Sequence, residues 1–348
     1  MTVRENVALA SHTSLSVGGP ARFFIEAENE SDVRAAAALA AAQHLPLLPL
    51  GGGTNILVPD AGVDAVVLAP RSEHLVLTPN EDGTVLLVAS AGASWDALVD
   101  AAASANLWGI ENLAGIPGRA AGALVQNIGA YGAELSDVFV YADVFNLATG
   151  VIRRIDRKDA GLSYRSSIFK GNLSAQAGRN LVILRIALSL ARSGTPRLAY
   201  ADLARRKEEG AALSSPGDVA EVVRSIRATK FPTAGEGTAG SFFKNPIISK
   251  EQAERLIARF PGLPSYSELD GRMKLSLAWL LDHVLGLKGY AQGPVRLFER
   301  QPIVLVALPS ASAADIDMFA RSIERRVHDA FGIVIEREVE TFGARVAP

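Results

Sequence analysis

At 348 residues, with 49% hydrophobic and 21% charged side chains, the chain has the composition of a globular protein long enough for two or three cores. A formal net charge of −2 supplies no basic field for nucleic acid, and the lack of cysteine excludes disulfides, thiolate metal sites and a thiol nucleophile. No apolar run approaches a membrane span, and "MTVRENVALASHTS" has no apolar segment after its basic residue, so a cytoplasmic protein without membrane insertion is the expectation.

In chain order, "ARFFIEAEN" predicts a strand and "SDVRAAAALAAAQH" a helix capped by Ser31 or Asp32. "LPLLPL" is a short strand that runs into "GGGTN", so this opening part reads as a small β–α–β lobe. The turn "EDG" at 81–83 joins two strands, and "SWDALVDAAASAN" is an amphipathic helix. The stretch "GIENLAGIPGRAAGALVQNIGAYG", residues 109–132, is apolar and rich in glycine. Glycine permits left-handed backbone and close approach of the main chain to another strand or to a flat ligand. Strands dominate from Phe139 to Leu190, which makes the class α+β. From Phe231 the pattern changes to a new, smaller core, with helices at "SKEQAERLIARFP", "KLSLAWLLDHVLG" and "AADIDMFARSIERRVHDAFG", a strand at "QPIVLVAL" and a closing strand at "IVIEREVETFG".

Four features could carry chemistry. "GGGTN", residues 51–55, places main-chain N–H groups where a strand ends, either as a diphosphate cradle or as a plain tight turn; it fits neither G-x-G-x-x-G nor the P-loop. Ser-x-x-Lys occurs at Ser167–Lys170 and Ser241–Lys244, a spacing that acyl-transfer enzymes use on a helix, but glycine or Asn-Pro follows each copy. A strand period of two puts Glu336, Glu338 and Glu340 on one face, as a solvated edge or as a row in which one carboxylate works in a cleft. The five histidines have no ligand spacing, so no metal is expected.

Five segments in order, "LPLGGGTNILV", "GIENLAGIPG" with "QNIGAYGAEL", "YRSSIFK", "AGSFFKNP" and "EREVETFG", resemble the UDP-N-acetylenolpyruvoylglucosamine reductase family over nearly the whole chain. "YRSSIFK" and "LAYADL" resemble its longer branch, with a tyrosine-bearing loop. The resemblance implies an α+β chain: a two-lobed FAD-binding domain of the vanillyl-alcohol-oxidase/PCMH type (1–68 and 69–231), a smaller α+β substrate domain (232–332) and a terminal strand (333–348) returning to the cleft. It implies non-covalent FAD, since the glycine loop holds no histidine, with NADPH as reductant and UDP-N-acetylglucosamine enolpyruvate as substrate, in peptidoglycan precursor synthesis. A monomer is expected, with no nucleic-acid partner.

By the same resemblance, FAD contacts fall on Gly51, Gly52, Gly53, Thr54, Asn55, Ile116, Pro117, Gly118, Gln126, Asn127, Gly129 and Arg227. Arg165 and Glu338 would meet charge developing at the substrate carboxylate, and Ser241 would deliver the final proton. Tyr200, Lys230, Asn245, Tyr266 and Gln301 would touch substrate. Arg119 and the following "AAGALV" depart from the small or hydroxyl residues that many family members carry after "IPG". A related FAD-linked oxidase of the same fold and a non-catalytic sugar-nucleotide-binding protein are the alternatives.

Overall fold

The fold is a computed structural model that describes residues 2–170, 180–232 and 235–343. Strands β1 (Val3–Ala8), β2 (Pro20–Ala27), β3 (Leu47–Pro49), β4 (Ile56–Leu57) and β5 (Val63–Pro70) come first, and all but β4 form a sheet in the order β1–β2–β5–β3. β5 runs parallel to both β2 and β3, and helix α1 (Glu30–Ala42) makes the crossover that a parallel pair requires. The cap of α1 is Asn29 rather than Ser31 or Asp32: its Oδ1 accepts the Asp32 N–H at 3.1 Å, while Asp32 accepts the Glu28 N–H at 2.9 Å. β3 therefore delivers the chain to residue 51 at the carboxyl end of a parallel strand, where such sheets open toward ligands.

A second sheet is antiparallel. It consists of β6 (Leu75–Pro79), β7 (Val85–Ser90), β10 (Phe139–Asn146), β11 (Ile152–Asp156) and β12 (Leu181–Leu190) in the order β11–β10–β12–β7–β6; the short pair β8 (Gly129–Ala130) and β9 (Ala133–Glu134) stands apart. Helices α2 (Trp95–Ser104), α3 (Ala120–Val125), α4 (Ala201–Glu208) and α5 (Pro216–Lys230) belong to this part. Trp95, Leu98, Leu87, Leu188, Val219 and Val223 share its core. The glycine-rich stretch thus contains a helical turn, α3, and the segment after Leu190 contains two helices that the sequence reading did not include.

The remaining elements are β13 (Ile247–Ile248), α6 (Lys250–Arg259), β14 (Ser265–Ser267), β15 (Met273–Leu275), α7 (Leu277–Trp279), β16 (Ala291–Gln292), β17 (Val295–Phe298), β18 (Gln301–Ala307), α8 (Ala313–Phe331) and β19 (Glu340–Thr341). Ile316, Phe319, Ile323 and Val327 recur at helical spacing on α8 and are at most 1% exposed, each worth about 1.5–3 kcal/mol of burial. "KLSLAWLLDHVLG" is not one helix: α7 is a single turn that passes into a π-helical turn, Leu280–Val284. The closing segment is likewise not a long strand. Only Glu340–Thr341 pairs as β19, parallel to β4, while residues before it lie along Phe242–Lys244, with the Glu338 N–H on Phe242 O and the Lys244 N–H on Glu336 O, both at 2.8 Å. Among the described residues, no helix is long and apolar enough to cross a membrane.

Candidate active site

A cavity of about 1660 Å³ opens among these parts. It exceeds the ~300–1,000 Å³ usual for one small ligand and has room for an extended dinucleotide plus a second molecule. One wall is made of two glycine loops packed backbone to backbone. A Cβ on Gly52 would lie 2.8 Å from Gly118 Cα, and one on Gly53, whose φ is +64°, would lie 2.0 Å from His12 O. Thr54 Oγ1 donates to Pro117 O at 3.3 Å and ties the loops together. Close main-chain packing therefore requires these glycines before any ligand does. Gly122 differs: it lines the cavity, and a Cβ there would meet no protein atom within 4 Å. Among the described residues, the N–H groups of Gly51, Gly52, Gly53 and Thr54 have no acceptor, so they can serve a diphosphate.

The opposite end is polar. Ser163 and Ser166 exchange backbone hydrogen bonds at 3.1 and 3.0 Å across a two-residue turn, Tyr164–Arg165, in which Arg165 takes φ +53°. Arg165 Nη2 donates to Gly129 O at 2.9 Å. Its Nε lies 3.1 Å from Glu338 Oε1, but misaligned, so this buried N–H forms an ion pair without a hydrogen bond. Ser241 faces the same cavity from a segment bridged to Val304, and its hydroxyl has no partner among the described residues. Arg227, on α5, reaches in from the side and donates to Gly115 O at 3.1 Å. Burial pulls its guanidinium below the ordinary arginine value, a shift that an anion in the cavity would reverse.

The three carboxylates do not stand in an unrelieved row. Glu336 pairs with Lys244 at 2.7 Å, Glu338 with Arg165 at 3.1 Å and Glu340 with Lys170 at 3.2 Å. The Glu336 side chain is 72% exposed and that of Glu338 only 14%, which singles out the middle carboxylate as the one inside. In neither Ser-x-x-Lys copy does the lysine side chain hydrogen-bond the serine side chain: Ser167 Oγ donates to Val125 O at 2.8 Å, and Lys244 serves Glu336. Among the described residues, no group of side chains could hold a metal.

Of the expected residues, Gly51, Gly52, Gly53, Thr54, Asn55, Ile116, Pro117, Gly118, Gln126, Gly129, Arg227, Arg165, Ser241 and Glu338 line this one cavity. Asn127 does not. It is 1% exposed, and its amide braces Glu134, Ser163 O and the Ser136 N–H, so its role is internal. Gln126 lines the cavity, but both ends of its amide are occupied, by Lys170 and Glu340. Lys230, Tyr200 and Tyr266 stand outside the lining. Lys230 is hydrogen-bonded to Asp202, with its ammonium 5.6 Å from the Tyr131 ring and 5.7 Å from the Tyr200 ring. Burial pushes the Tyr131 phenol up to about 12, which keeps it neutral beside that lysine. Tyr200 and Tyr266 are 45% and 57% exposed. Asn245 accepts the Leu277 N–H at 3.0 Å and caps α7, and Gln301 opens β18; neither reaches the lining. The sequence reading did not give Lys170, Gly122 or Arg119 a place; all three line the cavity. Arg119 is held by Glu73 and by Gly92 O, which explains why an arginine fits after "IPG".

Residues 21–156 match the family model described as FAD binding domain, and residues 232–342 match that described as UDP-N-acetylenolpyruvoylglucosamine reductase, C-terminal domain. The chain is similar to the UDP-N-acetylenolpyruvoylglucosamine reductase of Pseudomonas aeruginosa, at 39% identity over 97% of this chain and 98% of that protein. It is 36% identical to that of Shewanella oneidensis, over 97% and 96%. The crystal structure of UDP-N-acetylenolpyruvylglucosamine reductase from Thermus caldophilus superposes with a TM-score of 0.66 at 27% identity, covering 98% of this chain and 100% of that one.

Proposed function

The chain belongs to the UDP-N-acetylenolpyruvoylglucosamine reductase family, and from that premise we propose how its own residues carry out the NADPH-dependent reduction of UDP-N-acetylglucosamine enolpyruvate to UDP-N-acetylmuramate. The protein is an FAD-containing oxidoreductase of cell-wall precursor synthesis. The acceptor-free N–H groups of residues 51–54 and the open face at Gly122 fit that cofactor, the former at its diphosphate. FAD held there would supply hydride transfer from NADPH to the terminal vinyl carbon of the substrate.

The protein's share is to hold charge and move one proton. Negative charge develops on the adjacent carbon and its carboxylate, and Arg165 meets it with a planar fork suited to that group. Glu338 pairs with the guanidinium at 3.1 Å and holds it facing the cavity. Ser241 donates its hydroxyl proton to the adjacent carbon and recovers one from solvent, completing the addition of one hydride and one proton across the double bond. Lys230, beside the Tyr131 and Tyr200 rings, forms a separate group suited to the nucleotide diphosphate. We take the protein to act as a monomer, and its use of NADPH and a nucleotide-linked sugar points to the cytoplasm.

The observation that carries this reading is the buried Arg165 N–H, without a hydrogen-bond acceptor, in the cavity that the two glycine loops wall. Rapid mixing under anaerobic conditions tests it. NADPH should bleach the yellow protein and the enolpyruvyl substrate should restore the colour. In Ser241→Ala the restoring step should slow by about 10²–10⁴-fold, with bleaching preserved. Wild-type recovery in that variant would remove Ser241 from the mechanism.

A further inference from the structure

Lys170 has no task in the reaction above, yet its side chain is charged, inside the cavity wall and only 6% exposed. An ammonium has three N–H donors, and three oxygens of the protein surround this one, two as hydrogen-bond acceptors and one as an ion-pair partner. They are Gln126 Oε1 at 2.8 Å, Arg165 O at 3.1 Å and Glu340 Oε1 at 3.2 Å. Gln126 Nε2 closes the ring by donating to the same Glu340 oxygen at 3.1 Å. The ring joins three separate pieces of chain: the end of α3, the Arg165 turn and β19.

One of its acceptors has a special place. The carbonyl belongs to Arg165, whose φ of +53° is one that glycine favours. A non-glycine residue there is strained and persists only where its surroundings over-determine it. The flanks of the turn are fixed by Asn127 Nδ2 on Ser163 O at 2.9 Å and by Ser167 Oγ on Val125 O at 2.8 Å. Lys170 grips the strained residue itself.

We propose that Lys170 is a positioning residue: its ammonium, seated between Arg165 O, Gln126 and Glu340, holds the Arg165 turn in register with the segment that carries Glu338. The guanidinium is thereby fixed in the plane in which it receives the substrate carboxylate. This inference rests on the reading of Arg165 given above, and the Ser-x-x-Lys motif gains a meaning from it. Ser167 and Lys170 are two staples of one turn, not a nucleophile and its base.

A double-mutant cycle separates the possibilities. Lys170→Met, Arg165→Met and the double variant are each measured for FAD affinity of the apoprotein, for bleaching by NADPH and for recovery with substrate. In Lys170→Met, FAD affinity and bleaching should stay close to wild type, while recovery falls by about 10–100-fold, the scale of a misplaced charge. The double variant should recover no more slowly than Arg165→Met alone, since a residue acting through another adds nothing once that other is gone. Additive losses, equal loss of FAD affinity, or wild-type recovery in Lys170→Met would each overturn the proposal. Recovery unchanged in Arg165→Met would instead overturn the role of Arg165, a different result. If Lys170→Met does not fold, Lys170→Gln takes its place in the cycle with the same outcomes required.

Discussion

Gly52 and Gly122 line one cavity and differ in what a methyl group would meet. At Gly52 it would press on Gly118 Cα at 2.8 Å, so Gly52→Ala should destabilise the apoprotein itself by about 1–3 kcal/mol, seen as a lower melting temperature without FAD. At Gly122 it would touch no protein atom within 4 Å, so Gly122→Ala should leave apoprotein stability equal or up to about 1 kcal/mol higher, while weakening FAD binding in a titration. The sequence made both glycines visible but not their reasons, because a close approach between residues far apart in the chain has no local signature. Lys170 was hidden in the same way: it reads as a motif position until Arg165, Gln126 and Glu340 are assembled around it. Burial pulls its ammonium below the ordinary 10.5, opposed by Glu340 and Glu338 and assisted by Lys244. The unfolded chain therefore keeps this proton to higher pH than the folded one, so between the lowered value and 10.5 the Lys170 contribution to stability rises with pH. Function should move oppositely. As Lys170 loses its proton the grip on Arg165 loosens, so the substrate step should decline on the alkaline side below pH 10.5, a limb absent from Lys170→Met in a pH–rate profile.

Helix α5 carries Arg227 into the cavity and rests on a signal that was legible and went unread. Ser215 accepts the Asp218 N–H at 3.1 Å, Asp218 accepts the Ser215 N–H at 2.9 Å, and Pro216 occupies the first helical position. Serine, proline and an acid three residues on form a start signal for a helix. Ser215→Ala should cost about 1 kcal/mol, measured by denaturant unfolding, with the loss reproduced by Ser215→Val and largely repaired by Ser215→Asp. The other strongly periodic helices, α1, α2, α6 and α8, were legible from their apolar spacing. α3 was not, since six residues inside a glycine-rich stretch offer too little period to read. The π-helical turn at Leu280–Val284 was equally silent, because its widened hydrogen bonding reflects packing in the core rather than composition.

At the scale of the molecule, two sheets and a third, smaller unit surround one cavity, and both reactants must reach it. NADPH and the sugar nucleotide should therefore exclude one another, giving ping-pong kinetics with inhibition at high substrate. A complex holding both at the flavin would contradict this. The order of motifs along the chain carried the architecture through its resemblance, and part of the cavity lining with it. The pairing that closes the site did not show, for two-residue strands have no pattern to set a register. Asn55 Nδ2 donates to Glu338 O at 3.0 Å across 283 positions of sequence, beside the pairing of β4 with β19. That contact sets a clock on the birth of the enzyme. The loop that would receive the cofactor is translated 283 positions before the residue whose carboxylate completes the polar end. A growing chain thus makes its cofactor loop well before the residue that completes the polar end, and the site closes only once those two segments meet.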